Sequence, residues 1–166
     1  MLKKFKNSLG RVIVASLILI GASSGAARAG MVNFSLMGGI DDTVNNGGSL
    51  GFLGGAGLNF GLVPMVHLEV DGLYLSRAFS GFSNVNWIEV PVVFRFRLLP
   101  LFSVGVGGFY DFAVTSGAGS NDGIVTSARL RLPGSPIYID GRFNIGLTQF
   151  NGSGMNDFQL MLGVMF

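Results

Sequence analysis

Three features of the sequence predict an all-β fold, specifically an eight-stranded antiparallel up-and-down transmembrane β-barrel preceded by a cleaved signal peptide. Eight runs alternate apolar residues with polar or small ones. The connections alternate between tight, Pro-containing turns and longer polar loops. The ionisable residues collect on one parity of the runs and leave the other parity apolar, as two faces of extended chains.

The first twenty-nine residues are expected to stay outside the fold. Met1–Arg11 is basic, Val12–Ala22 is an apolar run, and Ala27-Arg-Ala29 supplies a small-x-small cleavage pattern. The run is short of the roughly 20 residues that a membrane-crossing helix needs. Export with cleavage after Ala29 leaves residues 30–166 as the barrel. The basic residues Lys3, Lys4, Lys6, Arg11 and Arg28 leave with the signal. What remains is six Arg and nine acids, a net charge of −3. The basic balance of the full chain therefore belongs to the leader, and nucleic-acid binding loses its compositional support. Charged residues are far scarcer in this part than the roughly 25% of an ordinary soluble domain. No Cys is present, which excludes disulfides, thiolate ligands and a Cys nucleophile.

Taken in order, the strands are expected over Val32–Ile40, Ser49–Gly61, Met65–Arg77, Val85–Leu98, Phe102–Val114, Ile124–Leu132, Ile137–Thr148 and Asp157–Phe166. Most reach the roughly 9–11 residues with which a tilted strand crosses a bilayer. Leu62-Val-Pro64, Leu99-Pro-Leu101 and Pro133-Gly-Ser-Pro136 are the tight turns; Asp41–Gly48, Ala78–Asn84, Thr115–Gly123 and Gln149–Asn156 are the longer loops. Membrane barrels show this asymmetry, and an even strand count puts both termini on the short-turn side. Parity survives the turns. Val66, Leu68, Val70, Gly72 and Tyr74 share the apolar face of the third strand, and Phe158, Leu160, Leu162, Val164 and Phe166 that of the last. Across Pro133–Pro136 the apolar parity flips to Ile137, Ile139, Phe143 and Ile145, as a four-residue turn requires. Aromatics near strand ends, among them Phe60, Tyr74, Trp87, Phe94, Phe96, Phe102, Phe112, Phe158 and Phe166, are candidates for interfacial girdles. Pro91 lacks a ladder donor, so a bulge or weakened pairing is expected there, with the ring inward.

The opposite parity gathers the acids Glu69, Asp71, Glu89, Asp111 and Asp140 and the bases Arg95, Arg97, Arg129, Arg131 and Arg142, with His67 beside them. Five of each sign suit a lumen that side chains fill, as in an eight-stranded barrel. The turn at Pro133–Pro136 sets Arg129 opposite Asp140. A hairpin closing around residue 81 brings Arg95 diagonally near Glu69, and Arg forks suit such carboxylates. The leading reading is a salt-bridged plug; a narrow path for ions or solutes is the alternative, though selective pores usually carry an excess of one sign. A carboxylate–histidine contact of His67 with Glu69 or Asp71 is available, but no nucleophile shares that face. No catalytic, cofactor-binding or metal-binding set is expected, and no enzyme. Gly105-Val-Gly-Gly108 lacks a following helix and is no phosphate loop.

Trp87-Ile-Glu-Val-Pro-Val-Val-Phe-Arg95 resembles the aromatic-[Ile/Leu]-Glu-x-Pro-x-x-apolar-basic strand of small bacterial outer-membrane β-barrel domain proteins, similar in architecture to OmpA/OmpX-type eight-stranded barrels. Phe166, ending an alternating strand, resembles the C-terminal signal read by the outer-membrane assembly machinery. The resemblance implies a Gram-negative outer-membrane location and transfers no catalytic residue. The implied partners are outer-membrane lipids, lipopolysaccharide at the loops and the assembly machinery at the last strand, with a monomeric state and a structural or surface-interaction role. The loops offer little area for a tight protein interface. A soluble periplasmic lipocalin-like binder is the second alternative, and it requires the reverse distribution, with apolar rows inside and charges outside.

Overall fold

A computed structural model describes residues 32–44, 50–77, 85–114, 120–147, 149–150 and 153–166. The expected signal segment and most of the polar-loop residues lie outside the described residues. The strands are β1 (Val32–Thr43), β2 (Gly51–Val63), β3 (Val66–Arg77), β4 (Val85–Arg97), β5 (Phe102–Ala113), β6 (Ser120–Arg131), β7 (Ile137–Gly146), the two-residue pair β8 (Gln149–Phe150) and β9 (Ser153–Gly154), and β10 (Asp157–Met165). Eight of them close into an antiparallel up-and-down barrel in the order β1-β10-β7-β6-β5-β4-β3-β2, while β8 and β9 form a small separate hairpin. The seam between first and last strands runs from Ser35 opposite Met165 to Thr43 opposite Asp157. Closure leaves no barrel edge with unpaired backbone groups.

The short connections hold the register. Leu132 N–H donates to the Ile137 carbonyl at 2.9 Å, and Gly134 takes a φ of +66° that a side chain would resist. The Leu98–Leu101 turn is closed by Leu98 N–H and Leu99 N–H, both donating to the Phe102 carbonyl at 3.1 Å. The β2–β3 connection is tighter than its Leu62-Val-Pro64 signal suggests. Strand β2 runs on to Val63, only Pro64 and Met65 turn, and the register shifts between Gly61 and Val63.

Two loops are shorter than expected for a common reason. The first strand, expected to stop at Ile40, continues to Thr43, and β6 begins at Ser120 instead of Ile124. Asp41 and Asn121 look like loop residues in sequence, yet both point inward and are buried. An inward carboxylate is tolerable when a guanidinium meets it, and Arg77 Nη2 donates to Asp41 Oδ1 at 3.2 Å.

At Pro91 the β3–β4 ladder is interrupted. Val70 pairs with Val92 and Leu73 with Glu89, but the intervening Asp71 and Gly72 have no ladder partner on β4. The register is the same on both sides, so the pairing weakens without a bulge. The ring is buried on the inward face, and the ladder with β5 runs unbroken through Pro91 and Phe109. Proline removes one donor, and only the β3 side feels the loss.

Candidate functional site

The interior is filled in layers that the strand parities dictate. The middle layer is an ion cluster of Glu69 and Asp71 (β3), Arg95 (β4), Arg129 (β6), and Asp140 and Arg142 (β7), all buried. Arg129 stands opposite Asp140 in the β6–β7 ladder, and Arg95 opposite His67, one step diagonal to Glu69. Glu69 is the hub. Arg129 Nη1 and Nη2 grip its two oxygens at 2.7 and 2.8 Å, Arg95 Nε and Nη2 at 3.2 and 3.1 Å, and Arg142 Nη2 adds a bond of 2.7 Å. Asp140 accepts from Arg129 Nη2 at 2.7 Å, Arg95 Nη2 at 3.0 Å and Arg142 Nη2 at 3.1 Å. Asp71 accepts from Arg142 Nη2 at 2.6 Å. Three carboxylates meet three guanidiniums, so the layer is neutral, and forked geometry makes each contact strong. The Arg129 guanidinium also lies 4.0 Å over the Tyr138 ring.

Glycines make room for this cluster. A methyl at Gly57 would collide with the Asp71 carboxylate, and one at Gly163 with the Tyr138 ring directly across the ladder. Such close approach is the use of a missing Cβ inside a narrow barrel.

Toward the polar loops lies a second layer. Arg77 (β3) pairs with Asp41 (β1), with Asp157 (β10) at 3.0 Å and with Asp111 (β5) at 3.5 Å, and Glu89 (β4) is 4.0 Å away. Glu89 accepts from Asn144 Nδ2 at 3.0 Å and from Gln159 Nε2 at 2.9 Å. Four carboxylates therefore surround one guanidinium, and oxygens of Glu89, Asp111 and Asp157 lie within 4.8 Å of one another. Beside it pack Met37, Leu53, Leu73, Leu75, Trp87 and Met161, an apolar patch inside the barrel. A smaller one of Val93, Phe109 and Val125 sits near the middle layer.

Arg77, Asp41 and Asp157 are the charged lumen residues that sequence reasoning missed. Each stands at the loop end of a strand with inward parity: Asp41 falls in a segment read as loop, while Arg77 and Asp157 are the terminal residues of their expected strands. With them the expected balance of five acids and five bases does not hold; the acids exceed the bases toward the loops. Trp87 is a second correction. It is fully buried inside, not in an outer girdle, and its odd number already shares the parity of Glu89.

Arg97 and Arg131 join neither ion cluster. They are half-buried at the short-turn mouth, where Arg97 Nη2 lies 3.4 Å from His67 Nε2 and Arg131 Nη2 lies 3.1 Å from Met165 Sδ. His67 thus faces Arg97, while Glu69 and Asp71 are taken up by arginines. Among the described residues no carboxylate forms an ion pair with either arginine.

The outer surface has the opposite chemistry. Leu36, Leu58, Val92, Phe94, Val106, Ile124, Ile139 and Leu160 are among many large apolar side chains exposed round the barrel. Aromatics fall at two levels of the ladder. Phe34 and Phe166 (ring centroids 6.2 Å apart), Phe94 and Phe96 lie toward the short turns, and Tyr110 and Phe112 (6.4 Å apart) with Tyr74 and Phe158 toward the loops.

No family model and no curated protein sequence matches this chain. Among solved structures it is similar to a de novo designed transmembrane β-barrel, with a TM-score of 0.55, 12% identity, and 84% of this chain and 98% of the other covered. It is also similar to the N-terminal β-barrel domain of Pseudomonas aeruginosa OprF, with a TM-score of 0.50, 13% identity, and coverage of 81% and 96%. At such identities the likeness is one of fold: a closed, eight-stranded, antiparallel barrel.

Proposed function

We propose that this chain is an integral protein of the bacterial outer membrane, a monomeric barrel whose lumen is sealed by ion pairs and whose role is structural or one of surface interaction. One observation carries the reading. Arg95, Arg129 and Asp140 are 3%, 0% and 0% exposed inside, while the exterior is a belt of Leu, Val, Ile and Phe. In water such an exterior would be a vast apolar patch; in lipid it is the required surface. The same distribution is the reverse of what a lipocalin-like binder needs. The barrel strands, 9 to 13 residues long, are sufficient to span the apolar core.

Outer-membrane lipids would contact the belt, lipopolysaccharide the loop rim, and the assembly machinery the last strand ending at Phe166, after export and cleavage at Ala29. The sealed middle layer argues against a path for ions, because Glu69 and Asp140 are each gripped by three arginines. No catalytic role is assigned to these charges, which are consumed by each other.

Fractionation with gel mobility tests the reading. The protein should require detergent for extraction from the outer membrane and should migrate differently before and after boiling. Recovery in an osmotic-shock fraction without detergent would contradict the proposal. Planar-bilayer recording should give no reproducible unit conductance, and a stable conductance level would replace the plug with a channel.

A further inference from the structure

The short-turn mouth of the barrel holds a shallow, solvent-open cleft with an enclosed volume of about 10 Å³, whose walls come from β2 to β6. His67, Arg97 and Arg131 line it, together with Asn59, Ser103 and the Leu99–Leu101 turn. Its chemistry is one-sided. Arg95 in its floor is committed to Glu69 and Asp140, but Arg97 and Arg131 have no carboxylate partner among the described residues. Asn59 is 3% exposed, and its Nδ2 is a buried donor without a hydrogen-bond partner. A buried, unsatisfied donor costs free energy unless something accepts from it.

We propose that this cleft binds a phosphate-type oxyanion. Two guanidiniums from β4 and β6 and an amide donor from β2 approach from three strands. A tetrahedral oxyanion presents acceptors in as many directions, whereas a carboxylate offers only one planar edge. Arginine forks match phosphate oxygens, and the half-buried setting strengthens the bonds relative to open water. The backbone holds both arginines in place: Arg97 N–H donates to the Met65 carbonyl at 2.9 Å and Arg131 N–H to the Leu101 carbonyl at 2.8 Å. The neutral ion cluster behind the cleft closes the way through the barrel, so the anion enters and leaves by the same mouth. The inference stands on the mouth itself and does not require the membrane reading. Two sources supply the same chemistry: phosphate in solution, or a lipid headgroup leaning over the rim.

The test uses the folded full barrel in an uncharged maltoside detergent, titrated with inorganic phosphate while the His67 ring and Asn59 side-chain NMR signals are followed. A second arm places the protein in phosphatidylcholine nanodiscs with and without phosphatidic acid. A saturable shift in the first arm identifies free phosphate as the ligand; a shift only in the second identifies a headgroup. Either supports the proposal, provided that chloride at equal ionic strength does not reproduce it. The double variant Arg97→Gln/Arg131→Gln should weaken binding by about tenfold or more, since it removes both charge-assisted donors. Asn59→Ala, which leaves the charges in place, should weaken it less. Folding of each variant is verified by heat-dependent gel mobility. Signals that stay unmoved in both arms, or a folded double variant that binds like the parent, would overturn the proposal.

Discussion

Arg77 is the residue on which the loop-side half of the lumen depends. It is the guanidinium shared by Asp41, Asp111, Asp157 and, more distantly, Glu89. Removing one member of a buried ionic set leaves the others uncompensated, at a cost of about 3–5 kcal/mol. Arg77→Met should therefore lower the unfolding free energy in urea titrations by that amount. Arg97→Gln, which breaks no carboxylate pair, should cost less than about 1 kcal/mol. Equal effects would mean that the Arg77 cluster contributes no more than a solvated charge. Sequence parity marks Arg77, Asp41 and Asp157 as inward, but Asp and Asn near a Gly-rich stretch also signal a loop. What extends the strand is a guanidinium on β3 facing Asp41 on β1, a contact that exists only once the barrel has closed. Arg95, Arg129, Arg142 and their three acids lie inside the expected strands, clear of the polar loops, where parity alone places them.

At the scale of strands, the turns carry the register and the glycines carry the fit. Tyr138 lies across the β7–β10 ladder from Gly163, and its ring occupies the space of the missing side chain. Gly163→Ala should destabilise the barrel by about 1–3 kcal/mol by forcing the ring aside and disturbing Arg129 above it; an unchanged unfolding midpoint would contradict this packing. Pro91 makes a different prediction. Gly72 and Val90 lie in the interrupted part of the β3–β4 ladder, between the paired Val70–Val92 and Leu73–Glu89 positions. Gly72 and Val90 aim their amides at the intact β2 and β5 ladders, so the amide facing the defect is that of Asp71, across from Pro91. It should exchange with solvent faster than those of Glu69 and Leu73, and uniform protection would show that the ladder is intact. The sequence makes the Pro91 defect legible, because a missing N–H is a local property. It does not reveal that the register survives the defect, since that is fixed by the turns and by pairing on the β5 side. Trp87 shows the converse: its chemistry suggests an interface, but its position in the alternation puts it inside with Leu75 and Met37.

For the molecule as a whole, one arrangement organises the rest, with charge enclosed and apolar side chains outside. Parity across eight strands is legible from the sequence because each turn length transmits the face of one strand to the next. The charge asymmetry between the two ends of the lumen is not, because it depends on which residues the closed ring brings to one level. If the belt lies in lipid, an arginine at its mid-height, as in Val92→Arg, should cost about 2–4 kcal/mol, falling toward the rims. The most direct measurement exploits the absence of cysteine. Single cysteines placed at Val92, Ile139 and Leu160 carry a spin label in lipid vesicles, and its collision rates with oxygen and with a water-soluble nickel chelate are compared. The labels should be accessible to oxygen and shielded from the chelate, as groups in the bilayer core are. Ready collision with the chelate at all three positions would place the belt in water and contradict the account.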